Sequence, residues 1–185
     1  MKHLLQFLVL IMVLASCSKQ SELRKNFNCN NINSEQKSEQ YDFHKNFKLN
    51  IPSNWKTTLY YNNYQSEIIS ADTVKQLTNT YILDASYNLG TIEFSNKFHS
   101  KNDSILKAKN LKIIKSNTTL FQNKPSFWYV ANGAKNGFDY HQFNITVLLS
   151  QNTYFNCYIE VYGDKNIDER FCDAISILEN IEFLE

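Results

Sequence analysis

Tyr154-Phe155-Asn156-Cys157-Tyr158-Ile159-Glu160-Val161-Tyr162 is the stretch whose reading decides the fold. Phe155, Cys157, Ile159 and Val161 alternate with Tyr154, Tyr158 and Tyr162, the two-residue period of a β-strand. Both sets are largely apolar, which predicts cover on both faces of the sheet. Upstream, Phe138 to Leu149 reads as the antiparallel neighbour, joined through Gln151-Asn152-Thr153. Phe127 to Ala131 and Lys112 to Phe121 extend the meander around a turn at Asn123-Lys124-Pro125. Asn132-Gly133 and Asn136-Gly137 bracket a hairpin connection, because Asn and Gly accept the positive φ that such turns need. Downstream, Asn166 with Glu169 forms a capping pair. Phe171, Ala174, Ile175, Leu178 and Ile181 then recur at helical spacing.

The first half carries weaker signals of the same kind. Phe47, Leu49 and Ile51 alternate with polar residues until Pro52 ends the run. Trp55 to Tyr61, Ile68-Ile69 and Thr80 to Tyr87 read as further strands, with Thr91 to Phe94 continuing the last beyond Asn88-Leu89-Gly90. Ser100 with Asp103 looks like the start of a short helix through Ile105, Leu106 and Ala108. Trp55, just past the Pro52 strand end, is expected to be largely buried. The predicted architecture is an α+β domain over residues 41–185, a single antiparallel β-sheet flanked by helices.

The N-terminus speaks about address. Lys2, the apolar run Leu4 to Leu14 and small Ala15 and Ser16 form a secretory signal over residues 1–16. A membrane span needs about 20 apolar residues, and Ser18, Lys19 and Gln20 interrupt this one. Leu14-Ala15-Ser16-Cys17 resembles the lipobox of bacterial lipoproteins, which implies that Cys17 is the lipidated mature N-terminus and the protein's membrane anchor. Ser18 in place of Asp is similar to the outer-membrane sorting rule of enteric lipoproteins. The expected location is the cell envelope, on the outer membrane facing the periplasm. Residues 17–40 are polar and low in complexity, and read as a flexible tether.

Thirteen Phe and eleven Tyr beside four Gly and two Pro favour an aromatic-rich sheet protein. Loss of residues 1–16 removes Lys2 and no acid, leaving 18 bases against 18 acids. A neutral chain has no net field to draw nucleic acid or anionic lipid. Beyond Cys17 lie Cys29, Cys157 and Cys172, so one internal bridge is conceivable. Cys157 with Cys172 is the pair that the element order brings nearest; the alternative is two small buried hydrophobes. Cys29 has no evident partner in its polar surroundings. His44, His99 and His141 are isolated, and Asp139 with His141 reads as a solvated polar patch. No spacing nominates a metal, a cofactor or a catalytic residue. Tyr154, Tyr158 and Tyr162, with Trp128 on a neighbouring strand, form the candidate partner or ligand surface.

Phe47-Lys48-Leu49-Asn50-Ile51-Pro52-Ser53-Asn54-Trp55 resembles the opening of the PsbP-like family. Gln122-Asn123-Lys124-Pro125 with Phe127-Trp128-Tyr129 is similar to its mid-domain turn, and Ile181-Glu182-Phe183-Leu184 to its closing segment. The likeness covers residues 41–185, with two departures: Asn-Lys where the family usually has glycine, and a long hairpin over 68–87. It implies an αβα sandwich and a non-enzymatic binding or assembly role with an envelope protein partner. The alternative is a carrier of a small hydrophobic ligand, with a pocket between the sheet and its cover.

Overall fold

The structure, a computed structural model, describes residues 21–29 and 36–184. Within them lie ten strands: β1 Lys37–Tyr41, β2 Phe47–Pro52, β3 Lys56–Tyr61, β4 Gln65–Ala71, β5 Tyr81–Leu89, β6 Leu111–Phe121, β7 Lys124–Lys135, β8 Phe138–Ser150, β9 Thr153–Tyr162 and β10 Glu182–Phe183. The helices are α1 Glu22–Asn26, α2 Asn96–Ala108 and α3 Ile167–Leu178, with a 3-10 turn at Leu77–Asn79. The expectation of a single sheet flanked by helices is corrected by the strand pairing. There are two antiparallel sheets, a seven-stranded one in the order β3-β4-β5-β9-β8-β7-β6 and a three-stranded one in the order β1-β2-β10. The smaller sheet and α3 together cover the larger sheet, and Phe47 of β2 meets Phe155 of β9 edge-on at 5.4 Å.

Alternation holds along β9 as the sequence predicts. Phe155, Cys157, Ile159 and Val161 are wholly buried. Opposite them in register stand Val147, Ile145 and Phe143 of β8, and Tyr87, Ala85, Leu83 and Tyr81 of β5. Over this front face pack Leu49 and Ile51 of β2 and the apolar side of α3, with Phe171, Ala174, Ile175 and Leu178 in one continuous core. The back face bears a smaller cluster under α2, in which Leu106 covers Phe127, Tyr129, Tyr140 and Tyr162 together with Leu111. Helix α2 begins at Asn96 after Ser95, earlier than the Ser100 start read from the sequence. Asn166 precedes α3 in a left-handed conformation with no side-chain cap, so the expected capping pair is not made.

Residues 21–29 and 37–41 depart most from expectation, since their polar composition reads as tether. Instead Leu23, Phe27 and Cys29 are buried in the main core, and β1 pairs with β2 along its whole length. Cys29 is disulfide-bonded to Cys172 of α3, a separation of 143 residues. The Cys157–Cys172 pairing is thereby excluded; Cys157 is a free, buried thiol. The physical reason is orientation: Cys157 faces the core from β9, whereas Cys172 lies against the α1 segment and its Sγ sits 3.7 Å from the Phe27 carbonyl.

Two connections show why particular residues stand where they do. Asn136 and Gly137 both take positive φ and alone form the β7–β8 turn. Gly133 lies within β7, not in a turn. A Cβ there would come within 2.5 Å of the Asn110 carbonyl oxygen, so glycine permits the α2–β6 junction to press against the strand.

Candidate functional site

The four residues nominated from the sequence do not share a surface. Trp128 pairs with Ile145 in register and Ile145 with Cys157, so strand parity sends Trp128 to the front core. It is fully buried, 5.6 Å from the Phe27 ring and 6.1 Å from Phe143. Tyr154, Tyr158 and Tyr162 face the other way, as predicted. Tyr162 is also buried, beneath Tyr140 at 5.1 Å and beside Phe138. Tyr154 and Tyr158 are partly exposed. Cys17 lies outside the described residues.

Around the tyrosines the back face is a polar lattice whose groups are engaged with one another. Lys135 holds both oxygens of Glu160 at 3.1 and 2.9 Å, and the Tyr162 hydroxyl donates to Glu160 at 2.9 Å. Tyr140 donates to Gln142, which donates to the Tyr129 hydroxyl at 2.9 Å. Asn144 and Thr146 both donate to Asn156 Oδ1 at 2.9 Å. Asp84, opposite Tyr158, is pushed up to about 8, first by burial and then by the neighbouring carboxylates Glu67 and Glu160. Burial also raises Tyr129, Tyr140 and Tyr158. Such a network fixes register and resists water, since half-satisfied polar groups in low dielectric are costly.

Two larger clefts lie elsewhere among the described residues. One of about 650 Å³ opens between α1, β6 and the start of α3; Lys115, His141, Asp168 and Phe171 contribute to its walls. His141 points into it from β8, half-buried and held below the usual imidazole range, by burial above all, with Asp139 opposing. It is therefore a cleft residue and not the solvated patch read from the sequence. Cys157, by contrast, is no nucleophile. Burial and Asp84 drive its thiol upward, away from thiolate.

The second cleft, of about 540 Å³, sits at the end of the seven-stranded sheet, between the turn entering β2, the β3–β4 turn and the end of β5. Its walls include His44, Tyr61, Asn63, Tyr64 and Tyr87. Phe43 stacks on Tyr61 at 3.6 Å and 6°, and His44 meets both rings edge-on. Around it Phe43, Tyr61 and Tyr64 are 49, 57 and 72 % exposed, while Tyr60 points to the other face of β3. Sequence reasoning takes Tyr60 and Tyr61 as ordinary strand residues and misses this cluster. The available signal was Tyr60-Tyr61 followed by Asn62-Asn63-Tyr64, five consecutive aromatic or amide residues at one hairpin. Trp55 is partly rather than largely buried, edge-on to Tyr81 at 4.8 Å.

No protein-family model matches the sequence, and no curated protein matches it either. Solved structures do. Cyanobacterial PsbP (CyanoP) from Synechocystis sp. PCC 6803 aligns with TM-score 0.60 over 84 % of this chain and 97 % of its own, at 6 % identity. LpqN of Mycobacterium tuberculosis, described as involved in cell envelope biogenesis, aligns with TM-score 0.51 over 83 % of this chain and 93 % of its own, at 13 % identity. A protein of unknown function from Pseudomonas aeruginosa, PA94, gives TM-score 0.52 over 81 % of this chain and 99 % of its own, at 6 % identity. At these identities the likeness concerns the backbone, and what it shows is a PsbP-like fold.

Proposed function

We propose that this chain is a non-enzymatic binding module of the cell envelope, anchored by lipid on Cys17 and engaging its partner through the aromatic end of the larger sheet. The observation that carries the reading is the contrast in exposure. The interior is largely filled by side chains of zero or near-zero exposure, while three aromatics, Phe43, Tyr61 and Tyr64, stand in solvent around one cleft. Monomeric proteins rarely leave such a patch without a use, and Tyr and Phe supply large contact area at interfaces.

Three further points support it. A disulfide between Cys29 and Cys172 suits an oxidising, extracytoplasmic compartment. The resemblance of Leu14 to Cys17 to a lipobox gives the anchor. The structural neighbour LpqN is itself described as involved in envelope biogenesis. The carrier alternative loses ground, because the cleft of about 650 Å³ between the sheet and its cover is walled by charged and amide residues, Lys115, Asp164, Asp168, Glu169, Asn26 and Asn28 among them, as well as by apolar ones.

The test uses the full chain in its native envelope. Cys17→Ala is expected to abolish labelling by a fatty-acid analogue and release the protein from the membrane fraction; surviving label overturns the anchor. Cross-linked capture of envelope components is expected to drop sharply for the Tyr61→Ala/Tyr64→Ala chain. An unchanged captured set rejects the aromatic end as the working surface.

A further inference from the structure

We propose that the cleft bounded by His44, Tyr61, Asn63, Tyr64 and Tyr87 is a binding site for a neutral, hydroxyl-rich glycan chain. The inference rests on the binding-module reading and names the chemistry of its ligand.

The cleft's apolar component is a platform. Phe43 occupies one face of Tyr61 in parallel contact, and His44 braces both rings from the side. Tyr61 is thus held in place while more than half exposed, so little ordering entropy remains to be lost on binding. An aromatic face is electron-rich. Its natural complement is a surface of polarised C–H bonds, which one side of a pyranose ring presents.

The polar component fits the same ligand. Among the described residues, the Asn63 amide and the hydroxyls of Tyr61, Tyr64 and Tyr87 make no hydrogen bond. Asn62 uses its Oδ1 on the Tyr64 amide at 2.7 Å, which leaves its Nδ2 to donate outward. Amides and phenols both donate and accept, as sugar hydroxyls require. The wall includes no Asp, Glu, Lys or Arg. A phosphate, carboxylate or ammonium ligand would lose hydration with no opposite charge to replace it.

An extended peptide is the competing ligand. Peptides dock on sheets by adding backbone hydrogen bonds to a free edge. The hairpin backbone is spent, Asn62 donating to the Gln65 carbonyl at 2.9 Å and Leu89 to the Tyr64 carbonyl at 2.8 Å, while the outer edge of β3 stays open, so the experiment includes a peptide arm. Side chains are what the cleft offers, and they suit a ligand recognised by ring faces and hydroxyls. Its volume, about 540 Å³, falls within the usual range for small-ligand sites, about 300–1,000 Å³.

The experiment is saturation-transfer NMR on the full chain in a zwitterionic detergent, since sugar-headed detergents would compete. The probes are maltohexaose and N-acetylchitotetraose. Transfer to the ring C–H protons of at least one is expected from the unaltered protein. Tyr61→Ala and Tyr64→Ala should each raise its Kd roughly tenfold, whereas Tyr61→Phe keeps the platform and most of the affinity. Both side chains are solvent-facing, so an unchanged melting curve certifies the variants as folded. No transfer to either sugar, or transfer indifferent to Tyr61→Ala, overturns the glycan. Transfer instead to an uncharged acetylated and amidated peptide overturns it while leaving the binding module standing.

Discussion

Trp128 shows how little a polar atom can matter when its ring is well packed. Its Nε1 finds no acceptor among the described residues, while Phe27 and Phe143 flank the ring and Lys115 lies 5.9 Å above it. Trp128→Phe therefore removes a donor that has no partner and keeps most of the packing, and is expected to cost under about 1.5 kcal/mol. Trp128→Ala should cost about 3–5 kcal/mol. Chemical denaturation separates the two, and equal losses would show that the indole nitrogen does have a partner. Asp84 makes the opposite point, because its burial works against folding. In the unfolded chain a carboxyl titrates near about 3.9; in the fold this one titrates at about 8. Between those values the folded state keeps a proton that the unfolded state has released, so stability declines as pH rises through that window and levels off above it. Asp84→Asn should flatten that decline and exceed the parent in stability at pH 8, measured by urea unfolding across the window. An unaltered pH slope would remove Asp84 as its cause.

Among elements, α1 and its disulfide carry weight out of proportion to their size. On the chain-entropy view, a bond closing a 143-residue loop stabilises by about 5 kcal/mol. Cys29→Ser is expected to lower the melting temperature by many degrees, with reductant producing the same shift in the parent and none in the variant. In β7, Gly133→Ala forces a Cβ onto the Asn110 carbonyl, a backbone atom that cannot swing aside. A loss of about 1–3 kcal/mol is expected, read as a shift in urea midpoint. The strands were legible because Phe47 to Ile51 and Tyr154 to Tyr162 keep a strict two-residue period. Helix α1 was not, since Leu23, Phe27 and Cys29 are thinly spread among Asn, Lys and Glu. Their burial depends on a partner far along the chain, which no local pattern reveals. The placement of Trp128 failed for a related reason. Period fixes which residues of one strand share a face, but only interstrand register says which face of the neighbour they join. The aromatic end was missed because Tyr60 and Tyr61 lie on an edge strand, where exposure on both faces leaves no trace in periodicity.

For the whole molecule, the folded unit begins well before the Tyr41 boundary suggested by composition. A chain begun at Tyr41 lacks Leu23, Phe27 and Cys29 from the core and nearly all of β1 from the smaller sheet. It is expected to melt far below a chain begun at Ser21, by differential scanning calorimetry; equal midpoints would make the earlier residues dispensable. The covalent link from Cys29 to α3 also has a mechanical consequence. Tension entering from the N-terminal side reaches Cys29 before it reaches β1, and passes through the sulfur bridge into a helix seated on the centre of the large sheet. Strand β1 is therefore shielded from being unzipped rung by rung. A pull applied to the chain ahead of Cys29 would thus load the sulfur bridge and α3 before it loads the smaller sheet.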